Sequence, residues 1–258
     1  MSASDGPTSD GSVRAEHLGP PRVRSGRQEL TATPLPEAEV LALTVTVVVA
    51  VPDDDRRARL VASLDGLHDV VVVGAEGSDE LAINAALALA PTVTLVDVDP
   101  TPGFDGRTVS LVLADKLATS AVVAVTSHDD DALYDALRHG ARSMVRPDAG
   151  PDALAAVVRG VSRGEADLGP GAAAWVLREV DRLAADSSLD EAARPDALSD
   201  LEQDVLLRRA GGVDWEAIAA VHQLTRRLVA TAAGTALAKV QRTQRLAREL
   251  DLVRRARA

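Results

Sequence analysis

The chain has 258 residues, 46% of them hydrophobic and 26% charged, with a formal net charge of -11. That is apolar material enough for one medium domain and a small one, and it excludes both a wholly disordered chain and a protein that coats nucleic acid indiscriminately. No cysteine occurs, so disulfides, thiolate metal sites and cysteine nucleophiles are excluded, and a reducing, cytoplasmic setting is expected.

Residues 1–40 are rich in Ser, Gly, Pro, Asp and Arg and lack an apolar h-region, so they are expected to form a disordered tail rather than a signal peptide. The run from Leu41 to Val51 is too short to cross a bilayer as a helix and is rich in Val and Thr. It reads as a buried strand, and no membrane partner is expected. From there strands and helices alternate. Val45–Val51, Val70–Val73, Val93–Asp97, Ala121–Val125 and Ser143–Val145 are short and β-branched. Between and after them, Asp54–Leu67, Ser78–Ala90, Gly106–Leu117, Asp129–His139 and Pro151–Arg163 carry apolar residues at helical spacing, often behind a Ser or Asp cap. Five such units predict an α/β fold, the flavodoxin-like doubly wound five-stranded parallel sheet, over residues 41–165. In that fold, chemistry gathers beyond the carboxyl ends of the strands. Here those ends carry Val51 to Asp55, Asp97, and Thr126-Ser127.

A linker helix and loop are expected over 166–197, and a small all-α segment over 198–258. Ser199 and Glu202 form a capping box before Val205-Leu206, Gly211-Gly212 end that helix, Trp215 to Val221 make a second, and Thr225 caps a third from Arg226 onward. This is helix-turn-helix spacing. Charge divides in the same way, with 11 Lys/Arg against 7 Asp/Glu from Leu198 onward and 17 against 32 before it. Beyond Val240 the helix is expected to continue, with Thr243, Leu246, Leu250 and Val253 spaced for either a short dimer seam or packing against the same domain.

The stretches Val70 to Gly74, Pro91 to Asp97, Val122 to Thr126 and Ala136 to Arg142 resemble the receiver domain of two-component response regulators of the NarL/LuxR class. Leu198 to Val240 resembles the LuxR-type helix-turn-helix without gaps. The resemblance places the phosphoacceptor on Asp97 and the switch hydroxyl on Thr126. The Mg²⁺-holding acids fall on Val51 and Pro52, the lysine on Pro147 beside Arg146, and the aromatic switch residue on Met144. Val and Pro offer Mg²⁺ no oxygen ligands, so no cofactor is expected. The resemblance also sends the third helix into the major groove. Its exposed face is expected to read Ala230, Thr231, Ala232, Gly234, Thr235, Ala238 and Lys239, with DNA contacts from Thr225, Arg226, Arg227, Thr231, Thr235 and Lys239.

The function so implied is not enzymatic. It is a DNA-binding transcription regulator with an atypical receiver, a homodimer on double-stranded DNA, with little dependence on aspartyl phosphate; a sensor kinase acting through Asp97 stays open as a further reading. A second reading keeps both modules as protein-interaction surfaces that do not bind DNA specifically. His17, His68, His128, His139 and His222 lack metal-ligand spacing.

Overall fold

The computed structural model describes residues 44–117, 119–127, 130–186 and 196–257. The predicted tail at 1–40 lies outside these, as does the stretch 187–195 of the predicted linker loop. Five strands form one sheet: β1 (Val45–Ala50), β2 (Val70–Glu76), β3 (Val93–Asp97), β4 (Ala121–Val125) and β5 (Ala141–Val145). Their order is β2-β1-β3-β4-β5 and every pairing is parallel, the flavodoxin-like arrangement. β3 and β4 match the sequence expectation residue for residue. β2 runs three residues past Val73, because Gly74, Ala75 and Glu76 pair with Val48, Val49 and Ala50 after a register shift.

The crossovers are α1 (Asp54–Asp65), α2 (Asp79–Leu89), α3 (Gly106–Lys116) and α4 (Asp130–Arg138), and α5 (Pro151–Ser162) follows β5. Asp53, Ser78 and Asp105 cap the first three through their side chains, while α5 starts with Pro151 in its first turn behind Gly150. One face of the sheet packs Val47, Val49, Leu95 and Val123 against Leu60 and Leu64 of α1 and Leu154 and Val158 of α5. The other packs Ala50, Val96 and Ala124 against Ala82 and Ala86 of α2 and Val109 and Leu113 of α3. With both faces covered, the strands read as continuous apolar runs.

The remaining helices are α6 (Pro170–Ala184), α7 (Asp200–Ala210), α8 (Trp215–His222) and α9 (Arg226–Arg257), the last being 32 residues without a break. The predicted capping box is present, with Ser199 N donating to Glu202 Oε2 at 2.7 Å and Glu202 N to Ser199 Oγ at 3.3 Å. Gln223 closes α8 in the left-handed region at φ 54°, and Thr225 Oγ1 accepts from Leu228 N.

These helices share one apolar cluster. Trp175, Val176 and Leu183 of α6, Leu206 of α7, Ile218 of α8 and Val229, Ala233, Ala236, Leu237 and Val240 of α9 are joined by Ala166, Leu168 and Leu137 of α4, with Tyr134 and Met144 packed against them. The helical part is therefore seated on the α4–β5 edge of the sheet. Gln241 Nε2 ties it there, donating to the carbonyls of Ala141 at 2.8 Å and Leu137 at 3.2 Å.

This seating corrects the expected exposed face of α9. Ala230, Ala232 and Gly234 are buried. The Ala230 carbonyl accepts from Ala166 N at 3.1 Å, and a Cβ on Gly234 would collide with the Gly164 carbonyl oxygen. The small residues let two backbones approach. Of the two expectations for the residues beyond Val240, packing on the same chain is the one found: Thr243 is buried and Leu246 and Leu250 pack on the shared cluster, while Val253 is exposed. Gly234→Ala should lower stability by about 1–3 kcal/mol through overpacking. Thr235→Ala, one position along on the exposed side, should stay within about 0.5 kcal/mol of wild type. Urea midpoints of the two variants check both values.

Candidate functional site

The carboxyl ends of β1, β3 and β4 bring three sequence segments together, as the fold requires. Asp97 is the last residue of β3 and Thr126 directly follows β4. Both side chains are almost fully buried. Val51 and Pro52 follow β1 and contribute no side-chain oxygen.

Two residues absent from the expected site complete it. Arg56, in the first turn of α1, places Nη1 2.7 Å from Asp97 Oδ2 and 3.4 Å from Asp99 Oδ2. Asp99 turns its carboxylate inward. Its Oδ1 accepts from Thr126 Oγ1 at 2.5 Å, and Oδ2 accepts from Ser127 Oγ at 2.6 Å and Ser127 N at 3.0 Å. Asp99 N in turn donates to Asp97 Oδ1 at 3.0 Å. The attacking oxygen of an acyl phosphate is thus already bonded to a guanidinium, and the hydroxyl that would bind a phosphoryl oxygen is already bonded to a carboxylate.

Neither residue could be ranked from sequence alone. Arg56 is one of several charges on α1, and Asp99 sits in the loop Val98–Thr101. The available signal was Arg56 three residues beyond the cap Asp53, which puts it in the helix turn facing the sheet end.

The nearby acids are committed elsewhere. Asp53 accepts from Arg56 N at 2.7 Å as the cap of α1, and Asp54 pairs with Arg57. Arg57 Nη1 donates to the Val51 carbonyl at 2.7 Å. Arg146 pairs with Asp148 at 3.2 Å and reaches the Ser127 carbonyl at 3.4 Å. Mg²⁺ needs several oxygen ligands in near-octahedral array. With Val51 and Pro52 at the acidic positions and Asp97 bonded to Arg56, the residues present do not fit it. Among the described residues no set of three His, Asp or Glu is grouped to hold a metal.

Burial raises the Asp97 carboxyl above its ordinary range, against the lowering effects of the Asp99 backbone N–H and the Arg56 guanidinium. A raised carboxyl binds its proton more tightly folded than unfolded. Its favourable contribution is therefore present at low pH and is lost as pH rises through the folded pKa.

Along α9, Arg227, Thr231, Thr235 and Lys239 recur at four-residue spacing and form one stripe that starts beside Gly234 and turns away from it along the helix. Arg227 and Thr235 are exposed and Thr231 is half-buried, while Thr225 and Arg226 at the helix start are exposed. Lys239 is differently engaged. Its Nζ donates to Glu202 Oε2 at 2.7 Å and the Ala197 carbonyl at 2.9 Å. Arg226 lies 3.5 Å from Asp167 and 3.3 Å from Glu216, and Arg227 lies 3.5 Å from Glu165. The linker residue Asp167 also accepts from Trp215 Nε1 at 2.7 Å, and Arg209 lies over the Trp215 ring, 5.0 Å from its centroid.

No protein-family model matches the chain. Over 119 residues it is 29% identical to the transcriptional regulatory protein LiaR of Bacillus subtilis, covering 45% of this chain and 56% of that protein. Over 98 residues it is 29% identical to the oxygen regulatory protein NreC of Staphylococcus aureus, covering 38% and 44%. The chain thus spans about half the length of the curated relatives it matches. Among solved structures it is similar to the signal receiver domain of NarL from Mycobacterium tuberculosis, at 28% identity and a TM-score of 0.44 over 47% of this chain and 98% of that one. Among the described residues no helix is long and apolar enough to cross a membrane.

Arg56→Ala leaves Asp97 buried without its cation, and should lower stability by about 1–3 kcal/mol. Arg56→Ala/Asp97→Asn should recover most of that loss in denaturant titrations. Asp97→Asn alone should gain stability relative to wild type as pH rises above about 4, the ordinary carboxyl pKa, because only wild type then ionises a buried acid. A difference that stays flat with pH would contradict this.

Proposed function

We propose that this chain, a response regulator similar to the NarL/LuxR class, is a DNA-binding transcription regulator whose receiver-like part works without aspartyl phosphate. The observation that carries this reading is the closed set Arg56–Asp97–Asp99–Thr126. Phosphoryl transfer to a carboxylate brings negative charge onto negative charge and needs a cation to offset it. Here the cation bonded to the nucleophile is a protein side chain, Arg56. A phosphoryl group would also have to displace the Asp99 carboxylate from Thr126 and Ser127. The set resembles a permanently filled site, with Arg56 in the place of the cation and Asp99 in the place of the phosphoryl oxygens.

The DNA surface in this reading is the stripe Arg227, Thr231 and Thr235 together with Thr225 and Arg226 at the start of α9. Arg and Thr at that spacing suit phosphate oxygens, which position a protein on DNA. Glu165, Asp167 and Glu216 compete for the two arginines, but exposed pairs are weak and yield to a polyanion. The domain division that accompanies this reading is a receiver-like unit over 41–165, a linker over 166–197 and a helix-turn-helix unit from 198 onward. The packed small residues of α9 favour the alternative, an interaction protein, in one respect: Ala230 and Gly234 pack on the Gly164–Ala166 backbone rather than facing a base edge.

Two measurements test the proposal. Acetyl phosphate with Mg²⁺ should add no phosphoryl mass to the purified protein, and selection of bound genomic fragments should enrich one motif with wild type and with Asp97→Asn alike. Enrichment should disappear in Arg226→Ala/Arg227→Ala. A phosphoryl adduct on Asp97 would overturn the phosphate-independent part. Absence of any enriched motif would shift the reading to the interaction protein.

A further inference from the structure

The contact between the sheet edge and α9 encloses a cavity of about 200 Å³, and its lining is strongly basic. Arg138 and Arg142 enter from the α4–β5 side, Arg242, Arg245 and Arg248 enter from α9, and Asp115 is the one carboxylate among the lining residues. Packing two helices together does not require five guanidinium groups around one hollow. Their mutual repulsion in a partly desolvated space disfavours it unless an anion is present.

Ion pairing accounts for part of this charge. Arg248 Nη2 reaches Asp115 Oδ1 at 2.9 Å and Arg242 Nη1 reaches Asp196 Oδ2 at 3.1 Å, and Arg245 Nη1 donates to the Ala114 carbonyl at 3.3 Å. Arg142 has no hydrogen bond or ion pair to any described residue, although burial lowers its pKa. An always-charged group that is desolvated and unpaired is costly.

A second observation is independent of charge. Three lining side chains carry buried polar atoms without hydrogen-bond partners: Ser120 Oγ, Arg248 Nε and Gln244 Oε1. Ser120 is only 7% exposed. Buried polar atoms in folded proteins are otherwise nearly always satisfied. Arg248 Nε is a donor and Ser120 Oγ can donate, as a phosphate oxygen requires. Gln244 has its amide nitrogen committed to Glu179 Oε1 at 2.8 Å, which leaves Oε1 to accept from a hydroxyl.

We propose that this cavity binds a small phosphate monoester that also carries hydroxyl groups, such as a sugar phosphate. Arg142, Arg248 and Ser120 hold the phosphoryl oxygens, and Gln244 Oε1 accepts from a neighbouring hydroxyl. The volume suits a phosphorylated sugar and is small for a dinucleotide. Because the arginines come from both the sheet edge and α9, a bound ester touches both and strengthens their contact.

The test is calorimetric titration of the full chain with ribose 5-phosphate, inorganic phosphate and ribose at about 0.15 M salt, where long-range attraction is screened. Ribose 5-phosphate should give a saturable heat, bind more tightly than inorganic phosphate, and raise the melting temperature, while ribose alone gives none. Arg142→Gln and Ser120→Ala should each weaken binding by about 10-fold or more, the loss expected for one hydrogen bond to a charged group. Ser120→Ala removes one hydroxyl and keeps the fold should Arg142→Gln prove unstable. Arg59→Gln, on the exposed side of α1, should bind like wild type. No saturable heat, or equal weakening by Arg59→Gln, would overturn the site, and ester binding no tighter than inorganic phosphate would overturn the hydroxyl contact. The readout involves neither DNA nor aspartyl phosphate, so it stands or falls apart from the proposed function.

Discussion

Close approach between the inner face of α9 and the segment that follows α5 governs much of this structure. Gly164, at φ 78°, turns the chain back after α5, Ala166 N reaches the Ala230 carbonyl, and Gly234 has no room for a Cβ. Each of these needs the others. Without the turn, Ala166 and Leu168 would not enter the cluster that α6 to α9 share, and without the small residues on α9 the backbones would stand too far apart to hydrogen-bond. The third helix of the helix-turn-helix is therefore a core helix of the whole chain on one side and a solvent-facing helix on the other. That division sorts its residues: Ala and Gly inward at 230, 233 and 234, Arg and Thr outward at 227, 231 and 235.

The end of the sheet shows a related economy of side chains. Asp97 is buried where solvation is poor, which by itself favours the neutral acid. Arg56 from α1 and the Asp99 N–H offset that burial, and the Asp99 carboxylate that comes with the same loop is held by Thr126 and Ser127. One cation thus serves two carboxylates, and the second is anchored by neutral donors. Removing any member exposes the charge of another, so the group behaves as a unit rather than as separable pairs.

Much of the fold was legible in the sequence, because it is set by local patterns. The β-branched runs at 93–97 and 121–125, the caps Ser78 and Ser199, and the Gly211 stop all act over a few residues. What escaped depends on contacts between distant segments. Ala230 and Gly234 look in sequence like a recognition surface that has lost its side chains, and the neighbouring Gly164 to Ala166 backbone explains them, while Ala232 packs into the shared cluster. Asp97 and Thr126 were locatable because strand ends are fixed by topology. Arg56 and Asp99 were not, since the reach of an arginine and the inward turn of a loop acid are decided by what surrounds them.

The basic residues of α9 from Arg226 to Arg248 end up with three destinations, although the sequence offers them as one positive helix. Arg226 pairs with Asp167 and Glu216 and Arg227 with Glu165, Lys239 is absorbed by the capping box of α7, and Arg242, Arg245 and Arg248 turn toward the sheet edge. The pairs of Arg226, and that of Arg242 with Asp196, are exposed and screened, so these arginines are readily released to another anion of the size of a nucleic acid. Lys239 meets a different constraint. Burial alone would raise the Glu202 carboxyl, yet Lys239 and Ser199 bring it below its ordinary value, so withdrawing the lysine would strand a charged acid. Besides these ion pairs, the Ala166 N to Ala230 carbonyl bond and the shared apolar cluster hold α9 against the segment after α5, and salt does not screen them. A rise in ionic strength therefore loosens the outer arginines and leaves the seating of the helix in place.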